Sequence, residues 1–145
     1  MANDKTTLET VWSGGLKGSG RIKANYLNTN IAIPTSGGGS GEGTDPKELL
    51  ISSATACYTM TLTSMLDGRK LPVEKVTIDT ESTSSEEEGM DILHVTHVTL
   101  SADATDNNVQ AVHKTIEIAN ERCEVGNMLR KAGVTIKAEG KTYKE

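Results

Sequence analysis

The stretch 44-TDPKELLISSATACYTMTLTSMLDG-68 constrains this chain more than any other. Asp45 can cap a helix, Pro46 suits the first helical position, and Glu48 falls where it completes a capping box, so a helix is expected to start at Pro46. Its apolar positions, among them Leu49, Ile51, Ala54, Cys57, Met60, Leu62, Met65 and Leu66, reach round most of the circumference. A helix of that kind wants cover on several sides, and it should end near Asp67 and Gly68. With no Phe, one Trp and three Tyr, that cover must come from Leu, Ile, Val, Met and Ala.

The rest of the chain predicts strands and shorter helices around it. Residues 7–13, 21–28 and 29–34 alternate or cluster apolar residues at strand length, which predicts an N-terminal antiparallel sheet of about three short strands. The run 37-GGGSGEG-43 has no periodicity and reads as a mobile loop. Residues 71–82 and 90–102 are rich in β-branched alternation and predict a long hairpin across the acidic turn 84–89. After Thr105 and Asp106, Val109, Val112, Ile116 and Ala119 recur at helical spacing; a short helix 124–132 ended by Gly133 and a last strand 134–143 follow. The pattern is α+β without βαβ alternation, and 145 residues are enough for a single domain over 1–145.

Several functions are disfavoured. The net charge of -5 carries no basic block and aromatics are scarce, so no nucleic-acid partner is expected. No apolar run is read as a membrane span and the polar start MANDKTTLET has no signal-peptide core, so a cytoplasmic protein without a membrane partner is expected. Gly38 and Gly43 have P-loop spacing, but Thr44 stands where that motif needs Lys. His94 and His97, three apart on a strand, should face opposite ways, the run Glu86 to Glu88 reads as a solvated turn, and His113 as a structural residue. No metal or cofactor is expected.

That leaves the two cysteines, Cys57 and Cys123. In a reducing compartment they should be free thiols or a redox pair rather than a permanent staple. Cys57 alone reads as well as a buried small hydrophobe. Cys123 opens a short helix, whose first N–H groups and dipole can stabilise a thiolate.

The cysteine motifs resemble those of the OsmC/Ohr family of thiol-dependent hydroperoxide reductases. The run GEGTDPKELLISSATACYTMTL is similar to that family's G-x-G-T-N-P-x-E-L segment leading to a cysteine in a central helix, and IANERCEVGNML to its A-x-x-x-C-P-V-S-x-x-L segment. VWSGGLKGSGRI is compatible with its first hairpin, so the resemblance covers nearly the whole chain. It implies long central helices packed against antiparallel sheets in an intertwined homodimer. It also implies that Cys57 attacks a peroxide and becomes a sulfenic acid, which Cys123 captures as a disulfide. An external dithiol or lipoyl-type reductant would then restore the thiols.

The resemblance leaves the family's activating Arg missing in this chain and its Glu displaced. Lys47 occupies the Glu position ten residues before Cys57, and Glu48, nine before, points to the opposite helix face, where capping explains it better. Lys47, Lys17 or Arg21 is therefore expected to supply the cation that activates Cys57, with Asp45 as a carboxylate partner. Leu50, Met60 and the glycine loop are expected to line the substrate pocket and to favour organic hydroperoxides over hydrogen peroxide. A non-catalytic or redox-sensing protein on the same fold remains the alternative.

Overall fold

A computed structural model describes residues 4–145, so the first three residues of the polar N-terminal stretch lie outside it. The elements run β1 (Glu9–Ser13), β2 (Ser19–Lys23), β3 (Asn28–Ile31), α1 (Pro46–Gly68), β4 (Val73–Ser85), β5 (Gly89–Leu100), α2 (Asp106–Arg122), α3 (Glu124–Lys131) and β6 (Thr135–Lys144). They fall into two compact units, the first reaching Leu50 and the second running from Ile51 to Glu145. α1 begins in the first and continues through the second.

In the first unit β1, β2 and β3 form an antiparallel meander, as the alternation predicts. The stretch read as one strand over 21–28 is instead broken by a turn in which the Ala24 N–H donates to the Leu27 carbonyl. The glycine run is more ordered than its composition suggests. Gly39 and Gly41 donate to the Pro34 and Ile33 carbonyls at 3.0 Å each, and the Ser40 hydroxyl donates to the Gly18 carbonyl at 3.2 Å. Gly39 is buried, and a side chain on it would collide with the Ile33 carbonyl, which is why glycine is required there. At the start of α1 the Asp45 cap is as expected, the Glu48 N–H donating to the Asp45 carboxylate at 2.8 Å, while the Glu48 carboxylate, expected to close a capping box, accepts from the Thr44 hydroxyl at 2.6 Å.

In the second unit β4 and β5 pair antiparallel over nearly their full length, and the turn between them is confined to Glu86 to Glu88, narrower than the 84–89 expected. β6 departs from expectation. It pairs parallel with β5, Asp91 opposite Thr135 through Leu100 opposite Lys144, so the sheet is mixed rather than antiparallel throughout. The two helices between β5 and β6 form the long crossover that a parallel neighbour needs. α2 starts with a complete capping box, Thr105 Oγ1 accepting from the Asn108 N–H and Asn108 Oδ1 from the Thr105 N–H.

Every second residue of β5 from Ile92 to Leu100 points into the core. Val98 and Leu100 meet Tyr58, Leu62 and Leu66 of α1 and Val112, Ile116 and Ala119 of α2 in the main apolar cluster, which also takes in Cys123. The buried residues of α1, Ala54, Tyr58, Leu62 and Leu66, recur every fourth position and form a single stripe. The helix was expected to be covered on several sides, but within this chain Leu50 and Met60 stay exposed, Met60 at 70%. By length and composition α1 could also cross a membrane, a test the core helix of a water-soluble fold passes as well.

Candidate functional site

Cys57 lies in the middle of α1 and is half-buried, while Cys123 is buried at 2% exposure; both are free thiols. The chain turns at Cys123 from α2 into α3, so this residue ends one helix and caps the next. Its sulfur accepts from the Gly126 N–H at 3.4 Å and approaches the Ala54 carbonyl of α1 at 4.0 Å. Cys57 packs against the apolar cluster that holds Cys123 and lies close enough to act on its thiol. The fold thus brings together two sulfurs that are 66 positions apart in the sequence.

Burial pushes the Cys123 thiol up to about 11, and the adjacent Cys57 adds to the rise. The Gly126 N–H and the Arg130 guanidinium act in the other direction, because each favours the anion. Arg130 was not foreseen from the sequence. In the last turn of a short amphipathic helix, an arginine reads as an ordinary partner for the helix dipole. In the structure its Nη1 donates to the Asn120 carbonyl at 3.0 Å and to Asn127 Oδ1 at 2.8 Å. Its Nη2 donates to Asn120 Oδ1 at 2.8 Å and to the Ile136 carbonyl at 3.2 Å.

A second unforeseen group surrounds His94. Its ring stacks on Tyr58 with centroids 4.6 Å apart and planes 4° from parallel. Nδ1 meets the hydroxyl of Thr80, its register partner on β4, at 2.9 Å, and the Thr55 hydroxyl of α1 reaches Thr80 at 3.1 Å. The Tyr58 hydroxyl pairs with that of Thr96 at 2.6 Å. Burial and the nearby Arg130 charge lower His94 to about 4, so the ring is neutral at neutral pH. Burial likewise raises the Tyr58 phenol, with the hydrogen bond to Thr96 opposing. The only signal in the sequence was that His94 and His97 should face opposite ways, and they do: His97 reaches Asp79 and Tyr143 on the other face of the sheet.

The predicted cations and carboxylates, with Leu50, belong to the first unit, whereas Met60 lies on the part of α1 in the second. Lys17 ends the turn between β1 and β2, and Arg21, on β2, donates to Asn28 Oδ1 at 2.5 Å. Asp45 and Glu48 build the start of α1, and Lys47 is exposed in its first turn. This unit also holds an apolar cleft of about 460 Å³ lined by Trp12, Ile22, Ile33, Pro34 and Leu49 among others; Leu50, Met60 and the glycine loop are not part of its lining.

Comparison with known proteins agrees with this layout. Residues 38–139 match the family model described as OsmC-like protein. An uncharacterized protein of Bacillus subtilis (strain 168), YmaD, is 31% identical over 134 residues, covering 90% of this chain and 89% of that protein. Among solved structures, an OsmC-like protein of unknown function from Vibrio cholerae shares the fold with TM-score 0.78 at 12% identity, covering 96% of this chain and 100% of that one. The organic hydroperoxide resistance protein OhrB of Bacillus subtilis shares it with TM-score 0.60 at 20% identity, covering 93% and 98%. With its two cysteine-bearing segments inside the matched region and the same fold throughout, this chain belongs to the OsmC-like family.

Proposed function

We propose that the protein is a thiol peroxidase that reduces organic hydroperoxides through Cys57 and Cys123 in oxidative-stress defence. The observation that carries the reading is the meeting of the two free thiols, one half-buried and one buried, in a single cluster where Cys57 is close enough to act on the Cys123 thiol. The family and the hydroperoxide resistance of structural neighbours such as OhrB support the choice of peroxide as oxidant.

In the first step the Cys57 thiolate attacks the hydroperoxide. The O–O bond breaks, an S–O bond forms, the sulfur gives up two electrons, and the departing alkoxide takes a proton to leave as the alcohol. Cys123 then displaces the sulfenic oxygen as water and the disulfide forms. An external dithiol or lipoyl-type reductant returns both thiols by exchange. In this reading Lys47, Lys17 or Arg21 supplies the cation that activates Cys57, Asp45 is its carboxylate partner, and Leu50 and Met60 line the substrate's approach. The protein acts in the cytosol as a homodimer. An apolar α1 of which only one stripe is buried supports a second copy, because the exposed flank is a surface that a copy of the same helix would cover.

The test is stopped-flow oxidation by cumene hydroperoxide with dithiothreitol as reductant. Wild type should turn over, Cys57→Ser should not react, and Cys123→Ser should consume one equivalent and yield a sulfenic acid trapped by dimedone. Equal, slow oxidation of all three sinks the proposal. Stoichiometric disulfide formation without turnover would favour the redox-sensing alternative.

A further inference from the structure

We propose that Arg130 is a positioning residue for the resolving step: it holds its guanidinium beside Cys123 so that this sulfur becomes an anion once Cys57 has been oxidised. The inference deepens the peroxidase reading and rests on it for the step, though not for the placement of the charge.

Gly126 locates the two groups. A Cβ built on it would lie 3.3 Å from Cys123 Sγ and 3.5 Å from Arg130 Nη1, so sulfur and guanidinium flank the same point. The absence of a side chain there leaves the space between them open, and the Gly126 N–H itself points at the sulfur. Arg130 cannot swing away without losing its four hydrogen bonds to Asn120, Asn127 and Ile136, which lie on α2, α3 and β6. Carbonyl and amide oxygens hold it, so its charge is anchored by dipoles and, among the described residues, is not paired with a carboxylate.

The charged and titratable groups facing Cys123 come from three elements: Cys57 and Tyr58 from α1, Arg130 from α3, and His94 from β5 behind Tyr58. Arg122 and Glu124 flank it in sequence and are exposed. Of the facing groups, only Cys57 changes charge during the reaction. As an anion it opposes a second anion beside it; as a sulfenic acid it is neutral, and the opposition is gone. What remains is the burial that still raises the thiol, and against it the Gly126 N–H and Arg130, both favouring the thiolate. Cys123 then loses its proton and attacks the Cys57 sulfur. The S–S bond forms, the S–O bond breaks, and the departing hydroxide takes up a proton as water, so no further oxidant is needed.

The first arm of the test needs no peroxide. In Cys57→Ser, the ionisation of Cys123 is followed through the ultraviolet absorbance of its thiolate. Arg130→Gln should raise the midpoint by about one unit, and Arg130→Lys should recover most of that. Asn127→Asp keeps the size of the acceptor and places a carboxylate against the guanidinium, so it should raise the midpoint even if Arg130→Gln folds poorly. In the second arm, with Cys57 intact, Arg130→Gln should slow disulfide closure after peroxide addition about tenfold at neutral pH while sulfenic acid formation keeps its rate. An unmoved midpoint in folded Arg130→Gln, or in Asn127→Asp, overturns the proposal. Shifted midpoints without any peroxide consumption refute the peroxidase reading alone and leave the hold of Arg130 on Cys123 standing.

Discussion

Cys57 and Cys123 approach one another from unlike surroundings. Around Cys57 the threonines turn back on the helix: Thr55, Thr59 and Thr61 donate to the carbonyls of Ile51, Thr55 and Cys57, each one turn earlier, and Thr55 also reaches Thr80. A residue in mid-helix also has no spare backbone N–H groups beside it, since those are used within the helix. Around Cys123 the helix is only starting, an N–H is free for the sulfur, and an arginine is held in place by three residues. Within the second unit, then, the groups that can stabilise a negative sulfur serve the second cysteine. For Cys57, the proposed nucleophile, the activating cations proposed above, Lys47, Lys17 and Arg21, all belong to the first unit.

The largest expected effect is on stability. His94 is lowered to about 4 from 6.5 by burial and by Arg130, so it binds a proton less readily folded than unfolded. Its contribution is therefore fully present above pH 6.5 and is lost as pH falls through 4, amounting to about 3 kcal/mol at the acid end. Urea unfolding of wild type and His94→Gln across that window should show the wild-type slope flattened in the variant. Equal slopes would mean that burial and Arg130 do not act on the His94 ring as described above.

Next comes the cation. If Cys57 depends on a charge outside the second unit, Lys47→Ala should slow sulfenic acid formation about tenfold while the Cys123 midpoint stays where it was. A rate equal to wild type would leave Lys17 and Arg21 as the remaining cations. A moved Cys123 midpoint would break the separation between the two sulfurs.

The smallest effect tests the plain side of the comparison. Thr61→Val removes a hydroxyl that only turns back on the Cys57 carbonyl, so stability should change by less than about 0.5 kcal/mol and the peroxide rate should hold. A large loss of rate would show that the Cys57 region is organised for chemistry after all.

Much of this arrangement is legible in the sequence wherever neighbours along the chain decide it. Asp45 and Pro46 mark the start of α1, Thr105 that of α2, and alternation marks β4 and β5, because caps and pleats act within a few residues. The motifs around Cys57 and Cys123 point to the family for the same reason: each is a short contiguous segment. The glycine loop misleads because its order comes from carbonyls at Gly18, Ile33 and Pro34 rather than from its own composition.

What the sequence by itself determined was therefore where the helices begin, which segments are strands, and that two cysteines lie in family-like settings. Only the tertiary structure decided that β6 runs parallel to β5, that His94 stacks on Tyr58, and that Arg130 stands beside Cys123. Strand alternation is the same for either pairing direction, and the partners of Arg130 sit on α2, α3 and β6. Contacts of that range leave no periodic trace in the chain; they exist once the core has closed.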